Sequence, residues 1–220
     1  MKIWIKRILS LLILGGTIFA FVKLANVSQD IISETPAYCD KPVIYLYPEK
    51  ETSLDIAIND VDFVSTYPEY KNKWTITAYP DGTLIDSNNR EYNYLFWEGK
   101  ASKLKIEIDK GFILKKENYI EFLEKTLTKI GLTDKESADF ITYWLPKMNE
   151  FPYCQISFQT DNYNKAVNID YSINPDSELR VFAVFKGLEK PVEIFEQSLD
   201  YYNNFKRTGF TVVEWGGMFI

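Results

Sequence analysis

Two glutamates of this chain stand beside tryptophans: Glu98 follows Trp97 in YLFWEGK, and Glu214 precedes Trp215 in GFTVVEWGG. Two carboxyl groups can carry out glycosidic hydrolysis, one donating a proton while the other serves as base or nucleophile, and aromatic faces commonly accompany sugars. In a strand Glu98 shares a face with Tyr94 and Phe96, and Glu214 with Phe210 and Val212. An apolar face raises a carboxyl pKa by desolvation, as a general acid requires. Gly216 and Gly217, directly after Trp215, let a ligand or a backbone segment come close. The catalytic reading is therefore Glu98 with Glu214, with Trp97, Trp215 and Tyr94 as binding residues. The competing reading is structural, because a glutamate inside an apolar strand is usually neutralised by a partner. The chain has four arginines. Arg180, at the head of RVFAVFK, suits Glu214, and Arg90 suits Glu98; Trp97 and Trp215 are then ordinary core residues.

Other chemistries are closed. The chain has no histidine, which removes the usual general base of serine and cysteine hydrolases and the common zinc ligand spacings. Its two cysteines cannot hold zinc or an iron–sulfur cluster alone. The glycines follow neither a P-loop nor a dinucleotide-binding pattern. Asn59, Asp60 and Asp62 lack the spacing of a calcium loop and read as a polar turn. No metal and no cofactor is expected. The formal charge is -6, and residues 1–25 hold Lys2, Lys6, Arg7 and Lys23 but no acid, so beyond them 21 bases face 31 acids, a charge of -10. Such a surface repels phosphate backbones, and no cluster of Lys and Arg interleaved with aromatics offsets it, so nucleic acid is excluded as a partner.

The first 25 residues set the compartment. Lys2, Lys6 and Arg7 precede an uncharged stretch from Ile8 to Val22, with Lys23 beyond it. The stretch is longer than many signal-peptide cores and shorter than a typical span, but Ile3, Trp4 and Ile5 can sit at the interface and Lys23 can snorkel. The small-residue pairs expected at a cleavage site are poorly matched by Ile18-Phe19-Ala20 and Lys23-Leu24-Ala25. The reading is an N-terminal apolar helix, residues 3–25, that anchors the chain in the cell membrane. The cationic flank keeps the N-terminus cytoplasmic and sends the chain from Asn26 outward. The alternative is a secreted protein after signal cleavage. Outside the cytoplasm Cys39 and Cys154 can form a disulfide, closing a loop long enough to stabilise by roughly 4 to 5 kcal/mol; the other possibility is two buried thiols.

Residues 26–38 are a polar linker, and residues 39–220 read as one compact α+β domain. Its composition, 46% hydrophobic with 16% aromatic and 25% charged residues, supports a sizeable core. KPVIYLYP is a near-continuous apolar run, as expected of a strand covered on both faces. SLDIAI and KWTITAY alternate with period two, as does KLKIEID, and FVSTYP is a further candidate strand. Ile120, Leu123, Leu127 and Ile130 then keep helical spacing up to Gly131, and Thr133 with Glu136 forms a capping box that opens a second helix through ADFITYWL. After this inserted two-helix hairpin YCQISFQ, VNIDYSI, ELRVFAVFK and GFTVVEW return to strands. The expected fold is mainly antiparallel sheet with the hairpin on one face.

Taken together, KPVIYLYPEK, YPDGTL, YLFWEG, YWLPKM, RVFAVFK and GFTVVEWGG resemble a family of uncharacterised bacterial proteins that often carry an export signal or anchor, over residues 39–217. The resemblance implies one compact domain outside the cytoplasm and brings neither activity nor site residues. The expected function is binding at the cell envelope, to an envelope glycan or protein, with glycan hydrolysis by Glu98 and Glu214 as the alternative.

Overall fold

A strand apolar on both faces must lie inside a sheet that is covered on both sides, and KPVIYLYP does. In a computed structural model, which describes residues 37–220, it belongs to β1 (Ala37–Tyr47). Val43 and Tyr45 enter one core while Ile44 and Leu46 enter another. The anchor or signal segment and residues 26–36 of the linker lie outside the described residues. Among the described residues no helix is long and apolar enough to cross a membrane.

Following β1 come β2 (Thr52–Asn59), β3 (Asp62–Tyr67), β4 (Trp74–Ala78), β5 (Leu84–Ile85), β6 (Glu91–Tyr92), β7 (Leu95–Ala101) and β8 (Lys110–Lys115). The hairpin helices are α1 (Tyr119–Ile130) and α2 (Asp134–Met148). Then follow β9 (Tyr153–Phe158), α3 (Thr160–Ala166), β10 (Asn168–Tyr171), β11 (Ser177–Leu188), β12 (Phe195–Glu196) and β13 (Thr211–Phe219). Eight strands form a large sheet in the order β12-β8-β9-β11-β13-β1-β7-β3, and five form a small one in the order β10-β2-β4-β5-β6. Pairing is antiparallel except for β11 with β13 and β12 with β8. The fold is α+β and mostly antiparallel. The small sheet packs on one face of the large sheet and the helical hairpin on the other, so the domain has two cores.

The helices end where their sequences stop them. Gly131 takes φ +113° and its N–H closes on Leu127 and Thr128 carbonyls, a left-handed cap that suits glycine. The Thr133–Glu136 capping box is formed in both directions. Tyr119, Leu123, Leu127 and Ile130 make the buried stripe of α1, and each buried aliphatic contributes about 1.5–3 kcal/mol of transfer free energy before chain entropy is set against it. Ile120, expected on that stripe, is 51% exposed; the stripe starts one residue earlier, at Tyr119.

KLKIEID is not a strand. Leu104, Ile106 and Ile108 are buried as the alternation requires, yet among the described residues no strand pairs with them. Side-chain amides replace the ladder: Gln159 Oε1 accepts from the Glu107 N–H at 3.1 Å, Gln155 Nε2 donates to the Ile108 carbonyl at 2.7 Å, and Asn162 Nδ2 donates to the Lys105 carbonyl at 3.1 Å. An amide side chain carries the same donor and acceptor as a peptide group, so it can satisfy an extended segment in place of a strand.

Candidate functional site

The period-two rule settles where the two glutamates point. Val213 and Trp215 belong to the helix-side core and Val212 to the small-sheet-side core, so Glu214 faces the small sheet. Trp97 lies in the small-sheet-side core, while Tyr94 and Phe96 pack on the helix side. Glu98 therefore faces the helices. The two carboxyl groups lie on opposite faces of one sheet, on strands separated by β1, and Glu214 is 0% exposed. They cannot flank one glycosidic bond, so Glu98 and Glu214 do not form the catalytic pair expected from the sequence.

Glu214 is instead the centre of a closed network. The parallel register of β11 and β13 sets Arg180 beside Glu214, and Arg180 Nε donates to Glu214 Oε2 at 2.6 Å. Trp97 Nε1 and Tyr163 Oη donate to Glu214 Oε1 at 3.2 and 2.9 Å. Arg180 Nη1 donates to the Val167 carbonyl at 2.8 Å, and its guanidinium lies 4.7 Å from the Tyr163 ring centre. Burial opposes the arginine's charge most strongly, but the Glu214 carboxylate together with Tyr163, Glu178 and Tyr171 offsets it, so the Arg180 pKa lies above its ordinary value. Trp97 and Trp215 are both 0% exposed and cannot line a ligand site. Trp97 serves Glu214, and Trp215 packs on Phe140 of α2 with ring centres 5.3 Å apart. Gly216 and Gly217 admit backbone and side chains of this chain. A Cβ at Gly216 would lie 2.9 Å from Pro42, and one at Gly217 would lie 2.2 Å from the Ala183 carbonyl.

Glu98 belongs to a half-exposed patch whose other members sequence reasoning missed. The pairing of β1 with both neighbours shifts register between residues 40 and 43, and Lys41 takes φ +58° there. The resulting bulge brings Asp40 to Glu98. Tyr38 Oη donates to Glu98 Oε2 at 3.2 Å. Lys147 Nζ donates to Asp40 Oδ2 at 2.5 Å and to Tyr143 Oη at 3.0 Å, and Tyr143 donates to Asp40 Oδ1. The Glu98 pKa is raised, first by burial and then by its contact with Asp40. Tyr143 is raised as well, by burial and by its bond to Asp40. Arg90 makes no ion pair with Glu98. It is exposed, in a turn where its N–H donates to Asp86 Oδ1 at 2.9 Å. Tyr94, the one predicted binding residue left at a surface, faces Lys41, whose Nζ lies 3.5 Å from Tyr94 Oη. That ammonium also sits 4.9 Å from the Phe96 ring centre and 5.6 Å from that of Tyr143.

Over 64 residues the chain is 44% identical to an uncharacterised protein in the bglA 3' region of Butyrivibrio fibrisolvens, a match that spans 27% of this chain and 65% of that protein. No family model and no solved structure matches the chain.

The cysteines form no disulfide. Cys39 and Cys154 are free and fully buried, Cys39 in the small-sheet-side core and Cys154 in the helix-side core. Their strands are three steps apart in the large sheet, about 14 Å at the usual strand spacing and beyond the reach of a bridge. Burial raises the Cys39 thiol and pushes Cys154 up to about 12, leaving both inert. Among the described residues no group of three or more Cys, Asp and Glu could hold a metal ion. The α2 half of the patch had one sequence signal, the four-residue spacing that sets Tyr143 and Lys147 on one helix face. The bulge had none.

Proposed function

We propose that this chain is an extracytoplasmic domain, anchored by residues 3–25, which acts at the cell envelope by binding, and that the patch around Lys41 is where its partner docks. The partner is an envelope glycan or protein, not a nucleic acid. Signal cleavage would release the same domain as a secreted binder. The observation that carries this reading is the backbone at Lys41. A side chain held at φ +58° costs about 1–2 kcal/mol relative to the right-handed regions, and such positions concentrate at functional sites. The bulge holds the ammonium among three aromatic rings beside the partly buried carboxyls of Asp40 and Glu98, giving a partner positive, negative and aromatic surface within one patch. Asp40 is held by Lys147 and Tyr143 rather than left free as a base or nucleophile, and this favours binding over hydrolysis.

Lys41→Gly separates function from scaffold. Glycine accepts the left-handed conformation freely, so the variant should be as stable as the parent or up to about 1 kcal/mol more stable. In lipid nanodiscs the full chain should sediment with purified cell-wall preparations, and the variant should lose at least tenfold in affinity. A variant that binds as the parent does would remove the patch from the function.

A further inference from the structure

A second surface, apart from the Lys41 patch and not dependent on it, lies around the turn of 3-10 helix Asp200–Asn204. Two clefts, of about 510 and 310 Å³, share Tyr201 and Tyr202 as lining residues. Tyr202 is buried and bonded to Thr160, whereas Tyr201 is 54% exposed. Tyr201 is steadied by Asn164 Nδ2, which donates to its hydroxyl at 3.2 Å. An exposed aromatic ring therefore stands, held in place, where the two clefts meet.

Both clefts are lined by hydrogen-bonding side chains and carry an acidic surplus. The larger has Asp176 and Glu178 against Lys206; the charge of its Arg180 is already matched by Glu214. The smaller has Glu107, Asp109 and Asp161 against Lys110. This balance disfavours an anionic ligand. Amide side chains line both clefts: Asn164 and Asn204 on one side of Tyr201, and on the other Asn162, whose Nδ2 is taken by the Lys105 carbonyl, and Gln197, both of whose ends bond the Phe158 backbone.

An independent observation points to a ligand at the larger cleft. Two of its lining residues leave a buried polar atom without a partner: the donor Nη2 of Arg180, a residue only 7% exposed, and the acceptor Oδ1 of Asn164. Unpartnered buried groups are uncommon and call for an explanation. A hydroxyl can both accept from a donor and donate to an acceptor, so a hydroxyl-bearing ligand suits a cleft whose walls carry groups of both kinds.

We infer that the paired clefts bind a neutral saccharide chain, with a sugar ring stacked on Tyr201 and hydroxyls taken up by the amides and carboxylates on either side. Aromatic stacking combined with a few fixed polar groups is the general form of such recognition.

The test uses the full chain in nanodiscs of zwitterionic lipid, so that no sugar-headed detergent competes. Saturation-transfer NMR is recorded with cellohexaose, chitohexaose and xylohexaose, and with hexalysine as the cationic control. At least one oligosaccharide should show transfer. Tyr201→Ala, at an exposed position that leaves the melting temperature unchanged, should weaken it at least tenfold. Asn164→Ala should weaken it several-fold. The inference is overturned if none of the three oligosaccharides binds, if binding survives Tyr201→Ala, or if hexalysine alone binds.

Discussion

On the small-sheet side of the large sheet, Glu214 is wholly buried and receives one hydrogen bond each from Arg180, Trp97 and Tyr163. On the helix side, Glu98 is half-exposed, and its carboxyl meets another acid, Asp40, with a single tyrosine hydroxyl donating to it. Both residues are glutamates beside tryptophans in apolar strands, and only the face each strand turns to the helices separates them. The contrast follows from what water can do at each place. A carboxylate sealed between two sheets has only protein donors to offset its desolvation, so its site is folded around it by β11, β7 and α3. One at a half-open bulge can lean on solvent, and there the fold tolerates two acids in contact.

The largest effect should come from breaking the buried pair. Arg180→Leu or Glu214→Leu alone leaves one uncompensated charge in the core and should cost about 3–5 kcal/mol, enough to unfold much of the protein. The double replacement should recover a large part of that loss, because no charge is left unpaired. Urea denaturation of the three variants decides the point. A double mutant no more stable than the worse single one would mean that the pair is needed for packing rather than for charge.

Next in size is the removal of single donors from each face. Trp97→Phe deletes the indole N–H on Glu214 and opens a small cavity, an expected loss of about 2–3 kcal/mol. Tyr38→Phe deletes the hydroxyl on Glu98, where water can replace it, and should cost under about 0.5 kcal/mol. Equal losses from the two would show that Glu98 is as sealed from water in solution as Glu214.

Most of the scaffold was legible in the sequence, and the reasons it was legible explain what was not. Alternation and apolar runs located β1, β2, β4, β11 and β13, and the capping box located α2, because these signals depend on a residue and its neighbours within one turn or pleat. Arg180 was legible as the partner of Glu214 because an acid in an apolar strand needs a base and the chain has few arginines. Asp40 escaped because its role depends on a bulge at Lys41, four residues into β1, a register event in three strands at once. Tyr163 escaped because α3 is too short to show a helical period. The side-chain amides at KLKIEID defeated the pattern differently, since the alternation there is real and only the neighbouring strand is missing. The catalytic pairing failed on strand order and face, which no local pattern in β7 or β13 encodes.

The smallest effect tests the more delicate half of the comparison. Because the native pKa of Glu98 is raised, the folded protein still holds a proton between about pH 4.3, the ordinary glutamate value, and that higher value, where the unfolded chain has already released it. Stability must therefore fall as pH rises through this window and level off above it. Glutamine mimics the protonated acid and can still donate to Asp40, so Glu98→Gln should match the parent in acid and exceed it at neutral pH. The gain should stay below about 1 kcal/mol, since solvent screens a half-exposed pair. Part of the rise comes from the neighbouring Asp40, so Asp40→Asn should narrow the same pH window even though it also alters the acceptor of Lys147 and Tyr143. If the difference between Glu98→Gln and the parent is constant from pH 4 to 7.5, the Glu98 carboxyl is not held above its ordinary range, and neither burial nor Asp40 sets its proton apart from that of an exposed glutamate.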